Sequence, residues 1–190
     1  MADFKQEMEQ VIEPYLNQYR TEFWMEREEG KKLHCLSYKL EAPKGVIVYC
    51  HGFTENEEKC KESIYCLLKG NYSVYFVDHC GHGFSYRLVE DLSKVHVDSF
   101  DRYLDDFIMF AKRAKEENPD LPFYLFGHSM GGGVAACVIA KAPELFEKAV
   151  LASPMIRPNT GKNPWLVVKA VAKLKCMTGH GDEYIMGHGP

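Results

Sequence analysis

Four short, unbroken apolar runs limit what this chain can fold into: Gly45 to Cys50 (GVIVYC), Tyr72 to Val77 (YSVYFV), Phe123 to Phe126 (FYLF) and Ala149 to Ala152 (AVLA). None alternates apolar with polar, so each reads as a strand covered on both faces, the condition of parallel strands clothed by helices. The segments between them have helical spacing. From Ser99 to Glu117, Phe100, Tyr103, Leu104, Phe107, Ile108, Ala111 and Ala114 form one stripe, with Asp101, Asp105 and Asp106 early and Lys112, Arg113 and Lys115 late, as the helix dipole prefers. Asn118-Pro119-Asp120 ends that helix. A weaker helix runs from about Glu58 to Lys69, with Cys60, Ile64, Leu67 and Leu68 inward and Gly70 as its stop. Val134 to Ala140 (VAACVIA) is apolar all round, which predicts a helix buried in the middle of the domain.

Ahead of these runs, Phe4, Met8, Val11, Ile12, Tyr15, Leu16 and Tyr19 recur at helical spacing, so the first twenty residues read as an amphipathic helix that Pro14 kinks or divides. Thr21 to Glu28 and Lys31 to Leu40 flank Glu29-Gly30 as an antiparallel hairpin. Hairpin followed by strand-helix alternation predicts an α/β fold: a mostly parallel open sheet with an antiparallel N-terminal hairpin and helices on both faces. A length of 190 residues with 46% hydrophobic content suits one domain. The net charge of −4, with scattered basic residues, argues against nucleic acid as a partner. The polar, acidic start MADFKQEMEQ and the lack of an 18-residue apolar run predict a soluble cytoplasmic protein without stable membrane insertion. Seven cysteines (35, 50, 60, 66, 80, 137 and 176) without a C-x-x-C pair predict reduced, mostly buried thiols rather than disulfides or zinc.

Chemistry concentrates in three stretches. Gly127-His128-Ser129-Met130-Gly131 matches G-x-S-x-G between a predicted strand and a predicted buried helix. The glycines permit a tight turn that holds Ser129 out as a nucleophile, and the helix N-terminus behind it offers free N–H groups where an oxyanion would form. A glycine-rich packing turn is the bland alternative; a nucleotide loop fits less well, because no lysine follows and no G-x-G-x-x-G is present. His51-Gly52-Phe53-Thr54 follows the first buried run, where this architecture supplies its other oxyanion donor, so the Phe53 and Met130 amides are the candidate pair. Asp78-His79-Cys80-Gly81-His82-Gly83 is rich in ligand-type side chains but lacks zinc spacing, and reads as a shaped turn whose glycines take positive φ. His128 is expected to serve the elbow's packing, and His51, His79 and His82 the surrounding turns.

HGFTENEEK, VDHCGHGFS and GHSMGGG, in this order and spacing, resemble the monoacylglycerol lipase and lysophospholipase branch of the α/β-hydrolases, often labelled serine-aminopeptidase-like, over roughly Lys31 to Pro154. The resemblance implies Ser129 as nucleophile, the Phe53 and Met130 amides as oxyanion hole, and hydrolysis of carboxylic esters, commonly lipids with one acyl chain, through an acyl-enzyme. Neither cofactor nor metal is implied, and the oligomeric state stays open. Cys80 and Phe84 stand where relatives often carry arginines.

In this fold the triad runs Ser, then acid, then His, on loops after two further strands. The last strands, the acid and the histidine are therefore expected beyond Pro190, with residues 1–154 as the N-terminal part of the core and 155–190 as the start of a cap. Trp165, Val168 and Ala172 predict one face of a cap helix, with Lys169 and Lys173 on another. Asp182 and His188 follow Ser129 in the right order but lie six residues apart, too close for the crossover between parallel strands. Glu144 and Glu147 are expected on the surface at the opposite end of the sheet. A non-catalytic member that binds a small apolar ligand or a partner, an aminopeptidase and a carbon-carbon bond hydrolase remain alternatives.

Overall fold

The computed structural model describes residues 4–184. Six strands form one sheet: β1 (Arg20–Glu28), β2 (Lys31–Tyr38), β3 (Val46–Cys50), β4 (Ser73–Val77), β5 (Phe123–His128) and β6 (Lys148–Ala152), in the order β1-β2-β4-β3-β5-β6. β1 pairs antiparallel with β2, and β2 with β4; the β4-β3-β5-β6 ladder is parallel. The expected α/β fold class is therefore the one observed, and β3 and β4 are buried along their whole length.

Strand periodicity splits the core in two. Val46, Val48 and Cys50 face one layer with Tyr75, Val77 and Leu125, where α4 (Phe100–Glu116) and α5 (Met130–Lys141) pack through Phe107, Phe110, Val134 and Val138. Tyr49, Val74 and Phe76 face the other layer, covered by α3 (Glu57–Lys69) and an N-terminal helix through Ile64, Leu68, Ile12 and Leu16. The Asn56 side chain caps α3 and the Ser99 side chain caps α4, each accepting a backbone N–H of the first turn. A sixth helix, α6 (Trp165–Met177), follows the last strand; Trp165, Val168 and Ala172 on its predicted inner face are half-buried, and Lys169 and Lys173 are exposed.

Several expectations need correction. The N-terminal helix is α1 (Phe4–Glu7), a π turn (Met8–Ile12) and α2 (Glu13–Asn17), with Pro14 in the first turn of α2, where its missing N–H is tolerated. The wider π turn shifts the phase of the stripe. Ile12 and Leu16 reach the core while Phe4 and Val11 stay exposed. Gly70 is the C-cap of α3, as expected, and the left-handed residue is Asn71 (φ 68°) after it. α5 buries its first turn but exposes Cys137 and Ala140. Of the seven cysteines, all free, Cys35, Cys50, Cys60 and Cys80 are buried, and Cys66, Cys137 and Cys176 exposed. β6 is exposed at Lys148, Ala149 and Val150, because among the described residues it pairs with β5 alone and lacks the second neighbour its apolar run implied. No described helix is long and apolar enough to cross a membrane.

Candidate functional site

β5 ends in a turn that no ordinary residue would adopt. Ser129 has φ 53° and ψ −119°, a region that costs a non-glycine residue roughly 1–3 kcal/mol. Its backbone is held there from both sides: the N–H donates to the Ala152 carbonyl (3.0 Å), and the carbonyl accepts from Gly133 (3.2 Å) and Met155 (2.8 Å). Both glycines of the motif are required by proximity. A Cβ on Gly127 would lie 2.8 Å from that of Ala135, and one on Gly131 would lie 2.1 Å from the Cys50 carbonyl oxygen. Ser129 is half-buried, and its hydroxyl makes no hydrogen bond among the described residues. It sits at the N-cap of α5, so the partial positive charge of that helix end lies behind it.

The neighbouring strand delivers the second turn. β3 lies beside β5 with Cys50 opposite Gly127, so His51-Gly52-Phe53-Thr54 leaves the sheet edge next to the serine. Thr54 has φ 58°, and the Glu55 N–H closes the turn on the Gly52 carbonyl (3.2 Å). The Phe53 and Met130 amides, distant in sequence, both emerge from these adjacent turns and make no hydrogen bond among the described residues. Glu55, which the motif reading passed over, accepts the Gly52 N–H (2.7 Å) with one carboxylate oxygen and lies 3.0 Å from His128 Nδ1 with the other. His128 is therefore no packing residue: 41% of its side chain is exposed, and it is bound to Glu55 across the two turns.

Three histidines fill the space behind. His51 is buried; its Nδ1–H donates to the Gly52 carbonyl (2.8 Å) and its Nε2 accepts the His79 N–H (2.9 Å), which fixes a neutral tautomer, while burial lowers its pKa. His79 is driven down by burial and by the neighbouring His51 and His82. Burial likewise lowers His82 to about 4. Gly81 (φ 79°) and Gly83 (φ 45°) take the positive φ expected of this turn. Among the described residues, no group of His, Cys, Asp and Glu is arranged to hold a metal ion.

The same turn carries a buried ion pair that the sequence did not announce. Asp78 accepts from His34 Nδ1 (2.7 Å) and from the Phe84 N–H (3.1 Å), and Glu22 lies 3.1 Å from His34 Nε2, an ionic contact short of hydrogen-bond geometry. Burial is the largest influence and opposes the charge on both members, yet their mutual hydrogen bond together with the nearby Glu22 charge at His34 and the Phe84 N–H at Asp78 outweighs it. His34 is raised and Asp78 lowered. The pair's stabilisation is thus complete between about pH 4 and 6.5, and is lost as pH rises through the raised His34 value or falls through the depressed Asp78 value. Urea unfolding of the wild type and His34→Gln should show a stability gap at pH 6 that narrows by pH 9. A gap that widens instead would mean His34 is neutral in the fold.

The remaining candidates lie apart from the serine. Glu144 and Glu147 are exposed, flanking the turn that enters β6, at the end of the sheet away from Ser129. Asp182 is exposed beyond α6, and His188 lies outside the described residues. His180 Nδ1 binds the Thr178 carbonyl. No described imidazole hydrogen-bonds to Ser129.

The chain is similar to several known hydrolases. The monoacylglycerol lipase of Mycolicibacterium smegmatis is 33% identical over 132 residues, covering 70% of this chain and 45% of that protein. Lysophospholipase L2 of Escherichia coli is 29% identical over 142 residues, covering 71% and 42%. The chain thus spans less than half the length of these curated relatives. A thermostable carboxyl esterase from Bacillus coagulans, solved with glycerol, superposes with a TM-score of 0.71 at 22% identity, over 86% of this chain and 52% of that one, a likeness of fold. Residues 41–179, most of the chain and all three motif-bearing turns, match the serine aminopeptidase (S33) family, and it is to this family of α/β-hydrolases that the chain belongs.

Proposed function

We propose that Ser129 is the nucleophile of a serine hydrolase that cleaves carboxylic esters of monoacylglycerol or lysophospholipid type through an acyl-enzyme. The observation that carries this reading is the strained Ser129 backbone at the junction of β5 and α5, with a hydroxyl that serves no structural hydrogen bond among the described residues. Strain of this kind persists only where surrounding structure enforces it, and it clusters at functional sites. In the reaction Ser129 Oγ bonds to the ester carbonyl carbon. The electron pair shifts onto the carbonyl oxygen, and the Phe53 and Met130 N–H groups donate hydrogen bonds to that oxyanion, each worth about 3–4 kcal/mol of barrier. Collapse expels the alcohol, which takes up a proton; water then releases the acid. An imidazole base must accept the hydroxyl proton. Residues 1–154 form the catalytic core in this reading, and the segment from 155 begins a cap. The free cysteines support a reducing, cytoplasmic setting.

A fluorophosphonate probe applied to the full-length protein should label Ser129 alone, located by mass spectrometry. Monoacylglycerols and lysophospholipids should be hydrolysed in preference to aminoacyl amides. Labelling elsewhere would reject the nucleophile, and a preference for the amides would make the enzyme a peptidase.

A further inference from the structure

We propose that Glu55 is a positioning residue that clamps the two halves of the oxyanion hole together, an inference that rests on the serine-hydrolase reading above. Its carboxylate is hydrogen-bonded to both turns. One oxygen takes the Gly52 N–H at 2.7 Å, immediately before Phe53; the other meets His128 Nδ1 at 3.0 Å, immediately before Ser129. The turn is built around that carboxylate. A Cβ on Gly52 would lie 3.0 Å from Glu55 Cδ and Oε2, so the glycine leaves room for the acid to fold back. Glu55 is also closed onto Gly52 through its own backbone N–H, and only 23% of its side chain is exposed.

Two amides stabilise an oxyanion only if both point at one site while charge develops. They come from separate strands, and the sheet ladder stops at Cys50 and Gly127. Beyond that point the Glu55 carboxylate supplies the side-chain link between the turns. Loss of the clamp lets them drift while leaving the sheet and the serine in place. The cost therefore falls on kcat rather than on KM.

In the full-length protein, Glu55→Ala should lower kcat for a nitrophenyl ester about 10- to 100-fold, as small misplacements of catalytic groups do, while KM moves less than about threefold. The rate of fluorophosphonate labelling should fall in parallel. Glu55→Gln keeps an acceptor for Gly52 and can pair with the other histidine tautomer, so it should recover most of kcat. Where Glu55→Ala fails to fold, His128→Ala cuts one arm of the clamp on a half-exposed residue and should lower kcat with KM unchanged. Wild-type kcat in both alanine variants would overturn the proposal, and so would a raised KM at unchanged kcat, which would make Glu55 a substrate contact. Failure of the serine reading would look different: hydrolysis would survive Ser129→Ala, and this proposal would fall with it.

Discussion

Ser129→Ala should lower kcat for ester hydrolysis by about 10⁶-fold, to the residual rate that binding and oxyanion contacts alone provide, without unfolding the protein. The backbone argument adds a second expectation that separates catalysis from structure. Alanine keeps a Cβ, so it retains the strain of φ 53°, ψ −119°; its melting temperature should match the wild type. Glycine carries no such penalty, and Ser129→Gly should be equally inactive yet more stable by about 1 kcal/mol. No structural hydrogen bond of the hydroxyl is lost in either variant, since none exists among the described residues. Kinetics and thermal unfolding of the three proteins would test both halves. An alanine variant that is markedly destabilised would assign the hydroxyl a structural role, and one that keeps full activity would remove Ser129 from the mechanism.

The fold and the tight turn at Ser129 were legible because each is written locally. An unbroken apolar run states that a strand is covered on both faces, and Gly127 and Gly131 around Ser129 mark a backbone that tolerates no side chain. What was hidden depends on pairing between distant segments. Glu55 has meaning only once Cys50 and Gly127 are opposite each other in neighbouring strands, and His34 only once β2 runs beside β4 and brings Asp78 within reach. Asp106 reads in sequence as one of the acids that suit the start of α4. In the structure it is buried, bound to Arg27 and accepting from Tyr86 Oη at 2.7 Å, and burial raises its pKa against those partners. The errors run the other way. Apolarity at Val150 and Cys137 was read as burial, but a side chain is buried only when something packs on it.

Gly131→Ala should be severely destabilising, and the reason is which atoms it meets. The new Cβ would lie 2.1 Å from the Cys50 carbonyl oxygen, 2.4 Å from that of His51 and 2.5 Å from the Cys50 carbonyl carbon. All three are backbone, so no rotamer change relieves the overlap. Gly131 has no positive φ and lies in the first turn of α5, where alanine's intrinsic preference would stabilise the helix by about 1 kcal/mol. The contact therefore works against a favourable propensity, and α5 must move off the end of β3. We expect a net loss above about 3 kcal/mol, at the severe end for point substitutions. For a domain of this size that is a fall in melting temperature of about 10 °C. Gly30→Ala provides the comparison. Its Cβ meets nothing within 4 Å, so the cost is confined to the left-handed φ of 71°, about 1–2 kcal/mol. Movement of α5 would also carry the Met130 amide away from Phe53, so any folded Gly131→Ala protein should show depressed kcat, whereas Gly30→Ala should turn over at the wild-type rate. Equal melting temperatures for Gly131→Ala and wild type would show that α5 does not press on the end of β3, and the adjacency on which the paired amides depend would be lost with it.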